Sequence, residues 1–219
     1  MTNKPNESEV REAVKTISRD NSSHDNSDSS LQQEAMEAVK TLILWAGDDP
    51  EREGLLDTPK RVVKAYKQFF SGYKDNPEEI LSRTFEEVDG YDDAVIVRDI
   101  RLESHCEHHM VPIIGVAHVG YIPSSRVVGI SKLARLVDCY SKRLQTQETM
   151  TAQIANTIDK VLKPKGVAVV IDSNHNCMST RGVHKTHSST ITSRMLGIFR
   201  TDIKAREEFI NLINSPKKF

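Results

Sequence analysis

The chain has 219 residues, 37% hydrophobic and 28% charged, with a formal net charge of -1. That balance suits one sizeable domain or a domain with an extension, and it excludes the broad basic footprint of a nucleic-acid binder, so any anion site must be local. The N-terminus has no apolar leader, the run Leu42–Ala46 is far too short to span a bilayer, and an odd number of cysteines, three, argues for reduced thiols in the cytoplasm rather than a disulfide framework.

Residues 1–30 are polar and end in a Ser/Asn/Asp-rich stretch that buries too little apolar surface to offset its ordering entropy, which predicts a disordered tail with His24 solvated inside it. Ser30 is placed to cap a helix over 31–46, with Leu31, Ala35, Ala38, Val39 and Leu42 keeping the helical period and Gly47 stopping it. A second helix opens at Thr58-Pro59 and closes at Gly72, with Val62, Tyr66 and Phe69 or Phe70 on its apolar side and Lys60, Arg61, Lys64 and Lys67 on the other. Pro77 starts a third, short helix that fades before Gly90. The ordinary reading of those cations is a solvated face.

The character then changes. Strands are predicted over 94–102 and 113–122, helices over 131–144 and 147–162, strands over 166–172 and 187–199, and a last helix over 202–213. The core order is strand, strand, helix, helix, strand, strand, an α+β arrangement. The resulting division is a tail over 1–30, a helical region over 31–90 and an α+β domain over 91–219. Two helices cover one face of a four-stranded sheet and leave the other face and the edges open, and aromatics are only 5% of the chain, so association into an oligomer is expected.

The densest chemistry lies in Glu103–Met110. Cys106 and His109 are spaced i, i+3, which converges both side chains in a helical turn and separates them in a strand. A thiolate and an imidazole suit Zn²⁺, and Cys177, in the loop after the third strand, completes a three-ligand set with an open fourth position. His105, His108 or His175 could instead supply a fourth ligand and make the site structural. Cys139 falls within a helix, off its main apolar stripe, and is read as a packing residue. His108 and His175 flank the ligands and suit acid–base work. Glu107 is either a partner orienting a ligand imidazole or a surface charge. Ser131 is placed as the cap of the helix that carries Lys132 and Arg135; this is either ordinary capping or an anion site with a preference for phosphate. Gln147-Glu148 opens the next helix, where the carboxylate complements the dipole or reads the donor edge of a purine or pterin-like ring. Arg181 adds a cation near Cys177.

Together these segments resemble GTP cyclohydrolase I. The resemblance runs from about residue 34 to residue 213 and is carried by Asp57–Val62, Cys106–His109, Gly129–Arg135, Gln147-Glu148, His175–Met178 and Arg181–Val183. It implies the tunnelling fold, a ββααββ unit with an N-terminal helical extension, in a homodecamer of two pentameric rings with active sites between subunits. It also implies conversion of GTP and water to formate and 7,8-dihydroneopterin triphosphate, the first step of pterin and folate synthesis, with folate, tetrahydrobiopterin and modified-nucleoside pathways all open downstream. By resemblance, Cys106, His109 and Cys177 hold zinc, which supplies the water for attack at guanine C8. His175 moves protons at the imidazole ring and Arg181 supports developing charge. Glu148 and the Gln147 backbone hold the pyrimidine edge, and Ser131 and His108 assist ribose opening. Lys132, Arg135, Arg61 and Lys64 bind the triphosphate. Thr149 stands where the family usually has Arg, Thr146 where it has an aliphatic residue, and His105 is an unusual neighbour that could compete for metal. The alternatives are a non-catalytic zinc-stabilised purine- or pterin-binding module of the same fold, and a metal-free hydrolase using the Cys106 thiolate.

Overall fold

The computed structural model describes residues 24–86 and 90–216, with side chains from Asp28 onward. Of the tail expected over 1–30, residues 1–23 and the His24 side chain lie outside these, while residues 24–30 are helical. The chain divides into two compact units, one ending at Tyr66 and the other beginning at Lys67. That boundary precedes the one expected at residue 91, because the segment after Lys67 already packs with the sheet-bearing unit.

In the first unit, helix α1 (His24–Trp45) starts earlier than the cap expected at Ser30. Residues 24–45 contain neither Gly nor Pro to break a helix, and Ser30 sits inside it, its hydroxyl donating to Glu34 Oε1 at 3.2 Å. The helix does stop at Gly47, whose φ of 95° only glycine adopts easily. Gly47 N–H donates to Leu44 O at 3.0 Å and Asp48 N–H to Ile43 O at 3.1 Å, the paired bonds of a Schellman ending. Helix α2 (Thr58–Phe69) begins in this unit, shorter than predicted, and Arg61 on it pairs with Asp57 at 3.1 Å on the surface.

The second unit opens with a 3-10 turn (Ser71–Lys74) and helix α3 (Pro77–Ser82), where Asn76 Oδ1 accepts the Glu78 and Glu79 N–H groups. A short ribbon pairs β1 (Thr84–Phe85) with β4 (Val127–Val128). The main elements are β2 (Val95–Cys106), β3 (Pro112–Ile122), α4 (Ile130–Ser141), β5 (Leu144–Gln145), α5 (Gln147–Leu162), β6 (Gly166–His175), α6 (Asn176–Ser179), β7 (Thr190–Gly197), α7 (Ile198–Thr201) and α8 (Ile203–Asn214). The sheet runs β5-β2-β3-β6-β7, with the four long strands antiparallel and only the two-residue β5 parallel to its neighbour. The ββααββ order predicted from the sequence is therefore present, and β2 and β6 each run further than predicted, into the functional loops.

Period-two alternation divides β6 between two cores. Val167, Val169 and Ile171 face α4 and α5, packing with Leu133, Leu136, Val137, Met150, Ile154 and Ile158. Ala168 and Val170 face the opposite way, against Phe199, Phe209 and Ile213. The second face is thus covered by α7 and α8, where the sequence reading left it open; the C-terminal helix folds back because its own apolar stripe needs a partner. Phe209 comes so close to β3 that a Cβ at Gly120 would sit 2.8 Å from its ring. Cys139 is fully buried as a packing residue, under Arg143 Nη2 at 3.2 Å, and burial pushes its thiol up. Among the described residues no helix is long and apolar enough to cross a membrane.

Phe209→Ala empties a buried aromatic site and is expected to cost about 3–5 kcal/mol, read as a lower urea midpoint at unchanged slope.

Candidate active site

Cys106 is the last residue of β2, and the chain then makes one helical turn. Cys106 O accepts from His109 N–H at 3.4 Å and from Met110 N–H at 2.8 Å; Met110 takes φ 54° and the chain returns, Cys106 N–H donating to Val111 O at 2.9 Å. This turn makes the i, i+3 pair converge. The third member arrives through the sheet. His175, the end of β6, lies opposite Ile113 at the start of β3, so the short helix α6 carrying Cys177 sits beside the Cys106 turn. One ligand atom each from Cys106, His109 and Cys177 lies within 4.8 Å of the others. A small ion with bonds of about 2.0–2.3 Å closes such a gap with modest shifts, and two thiols with one imidazole are a borderline-soft donor set. These residues fit a divalent metal.

The other histidines are not in that group. His105 is 8% exposed and lies against Phe69 and Phe70, with ring centroids at 4.7 and 5.3 Å. Alternation along β2 turns it away from Cys106, so the competition for metal anticipated for His105 has no geometric basis. Burial lowers its pKa. His108 is exposed, its Nδ1 3.6 Å from Cys106 Sγ and its Nε2 3.9 Å from the Glu107 carboxylate. His175 Nε2 is 2.7 Å from Gln147 Oε1. Burial holds His175 below the usual imidazole range, with the Glu148 charge pulling it back up. Arg181 Nη1 donates to His109 Nε2 at 2.9 Å. Burial, and then the neighbouring Cys106 thiol, push the Cys177 thiol up, while Arg181 opposes them.

Helix α5 brings Gln147 and Glu148 to the same place, because β5 pairs with the end of β2, Cys106 opposite Gln145. Thr146 caps it, its Oγ1 accepting Thr149 N–H at 3.2 Å and donating to Thr149 Oγ1 at 2.8 Å. The two threonines that depart from the family pattern therefore make a local cap. Glu148, second in the helix, is exposed where the dipole favours a carboxylate, and lines a cavity of about 260 Å³ with Thr151, Thr192 and Arg194. Gln147 is instead buried, and its side chain bonds to β6 and β7. The sequence offered no sign of this beyond an amide and a serine, Ser173, next to predicted apolar runs.

Ser131 does not cap α4. Gly129 does, with no side-chain bond, and Ser131 is the second helical residue, exposed. Glycine's extended ψ already ends the strand, so the helix starts one residue early. Lys132 is half-buried and Arg135 exposed on the same helix. The C-terminal end of α4 leads into β5 and so to Cys106, whereas Ser131 lies roughly 15 Å from Ser141 along the helix axis. The contacts that join Cys106, His108, His109, Gln147, His175, Cys177 and Arg181 do not extend to Ser131, Lys132 or Arg135. Arg61 and Lys64 belong to the N-terminal unit.

The profile of the GTP cyclohydrolase I family matches residues 35–214. The chain is 61% identical over 181 residues to a GTP cyclohydrolase 1 of Hyphomonas neptunium, covering 83% of this chain and 88% of the relative. It is 59% identical over 182 residues to the proteins of the same name from Maricaulis maris, 83% of this chain and 89% of that one, and Brucella suis, 83% and 85%. Among solved structures, that of the archaeosine synthase QueF-Like in the apo form shares 20% identity at a TM-score of 0.41, over 48% of this chain and 94% of that one.

Cys177→Ser removes one of three donors, and bound metal measured by elemental analysis should fall from about one ion per chain to a small fraction of that. Metal binds the thiolates and burial raises the Cys177 thiol, so protons compete with metal: the affinity of the intact protein should drop steeply between about pH 8 and about pH 6, with proton release on metal uptake.

Proposed function

The chain belongs to the GTP cyclohydrolase I family, and from that membership we infer that it converts GTP and water to formate and 7,8-dihydroneopterin triphosphate. The observation that carries the reading to this site is the meeting of Cys106, His109 and Cys177 with a histidine outside the ligand set, His175, hydrogen-bonded to the helix that presents Glu148. A purely structural metal site needs neither of the last two.

The metal is zinc. Cys106, His109 and Cys177 would hold the ion, which when bound would supply a Lewis acid and lower the pKa of water to about 7. The remaining work falls to the chain. Glu148, at the positive end of α5, accepts from the donor edge of guanine, while the Gln147 backbone meets the same ring. His175, half-buried and with its charged form disfavoured by that burial, accepts and returns a proton at the imidazole ring of the base as it opens. Arg181 offers a permanent positive charge to the oxygen that develops there. His108, exposed and next to Cys106, serves the ribose-opening steps together with Ser131.

Lys132 and Arg135, on the first turns of α4, bind the triphosphate beside free N–H groups of the helix start. Arg61 and Lys64 join that role through family resemblance alone. The distance of Ser131 and Lys132 from Cys106 along α4 supports a site shared between neighbouring copies, one giving the Cys/His group and the next giving the start of α4. The assembly is a homodecamer of two pentameric rings, and exposed Leu42, Leu44 and Trp45 suit burial within it. The three free cysteines fit a reducing compartment, the cytoplasm.

Zinc-loaded protein given GTP should release formate and, after oxidation, a fluorescent pterin; absence of formate from GTP at any metal loading overturns the reading. Lys132→Ala should raise KM for GTP with little change in kcat. Mixing inactive Cys177→Ser and Ser131→Ala subunits through a dissociation and reassembly step should restore activity, up to about a quarter of the sites being intact if each is built from two copies. No recovery in mixed assemblies would show that one copy builds the whole site.

A further inference from the structure

Gln147 is 1% exposed, and both ends of its carboxamide are engaged. The nitrogen lies 3.0 Å from Ile171 O, 2.8 Å from Thr190 O and 3.1 Å from Thr192 Oγ1. The oxygen lies 2.7 Å from Ser173 Oγ and 2.7 Å from His175 Nε2. A carboxamide can in principle be turned either way, but here its neighbours decide. Two backbone carbonyls have no hydrogen to give, so the NH₂ end must face them. The oxygen end is then the one that meets His175.

An amide oxygen only accepts, so the hydrogen between the two groups belongs to His175 Nε2. In a neutral imidazole that leaves Nδ1 bare, the one ring nitrogen able to take a proton. The hydroxyls around the amide agree with this direction. Thr151 Oγ1 donates to Gln147 O at 2.7 Å, which commits its hydrogen, so the 2.7 Å contact between Thr151 and Thr192 is donated by Thr192. Thr192 Oγ1 therefore presents lone pairs to the amide nitrogen, as the carbonyls do. Ser173 spends its hydrogen on the amide oxygen beside His175. Five partners from β6, β7 and His175 itself hold one orientation of the amide, and the amide holds one tautomer of the ring.

We propose that Gln147 is a positioning residue for the cyclohydrolase reaction, its buried carboxamide holding His175 as the Nε2–H tautomer with Nδ1 as the sole site for a transferred proton. This rests on the functional reading above and adds a role for a side chain of which only the backbone was given one. A carboxamide that merely pins α5 to the sheet would make the same bonds to Ile171 and Thr190 and would leave the chemistry of His175 indifferent to it.

The test begins with Gln147→Met, which keeps the volume and removes both polar ends. In zinc-loaded protein kcat should fall about 10- to 100-fold, KM for GTP should move less than about threefold, and zinc content should match the wild type. In a His175→Asn background the same substitution should cost nothing further in kcat, since its effect passes through the ring. A loss that adds fully to that of His175→Asn, or that appears in KM and zinc content instead of kcat, overturns the proposal. A second readout needs no Gln147 variant and stays decisive if that variant fails to fold. In ¹⁵N-histidine-labelled wild-type protein, solid-state NMR of His175, assigned by its disappearance in His175→Asn, should show hydrogen on Nε2 and none on Nδ1; hydrogen on Nδ1 with Nε2 bare overturns it. Wild-type protein that releases no formate from GTP defeats the functional reading, while the NMR result judges the tautomer separately.

Discussion

The antiparallel ladder between β3 and β6 is the constraint on which the site depends. It makes ten residue pairs, from Ile113 with His175 to Ile122 with Gly166. Because His175 ends one strand and Ile113 begins the other, the turn carrying Cys106 and His109 and the short helix carrying Cys177 are set side by side. A slip of one residue would exchange the faces of β6, exposing Val167, Val169 and Ile171 and turning Ala168 and Val170 inward. Register is therefore held by apolar burial far from the metal group, and the metal group inherits it. The close passage of Phe209 over Gly120 reinforces the same register from the other face.

A second constraint operates at the start of α5. A helix that begins beside a buried sheet end carries free N–H groups into a low-dielectric region, and polar groups there must be satisfied. Thr146 meets part of that need by capping, and Gln147 carries its amide across to β6 and β7. Glu148, next in sequence, points the other way and is exposed. Successive positions on one helical turn thus do opposite jobs, one buried and fixed, the other open to a ligand. That division explains how the exposed Glu148 carboxylate and the His175 ring are held at one place by a single helix start.

The electrostatics of the site follow from burial more than from ion pairing. Cys177 and His175 both have their uncharged forms favoured by desolvation, with Arg181 and Glu148 each opposing from one side. A metal would reverse this for the Cys177 thiol, since it binds the thiolate directly. Arg181, donating to His109 Nε2, is in direct contact with the ligand set.

Much of this was legible in the residues alone. Period-two and period-3.6 patterns located the four long strands and the two long helices, because alternation and helical spacing are local properties of the chain. The i, i+3 spacing of Cys106 and His109 was enough to predict a turn that converges them, and the chemistry of the three donors was enough to predict a metal. Local signals misplaced the two helix starts: Ser30 lies inside α1, and Ser131 need not cap α4 because Gly129 already leaves the helix. The sequence could not say that His105 would turn into Phe69 and Phe70, that α7 and α8 would cover the second face, or that the Gln147 side chain rather than its backbone alone would reach His175. Each of these depends on which strands pair and in what register, a choice made by the sum of many weak apolar contacts across the whole sheet. Composition and spacing determined which groups this protein has for its chemistry; tertiary structure decided which of them touch, because contact between distant residues is a property of the packed core and not of any segment within it.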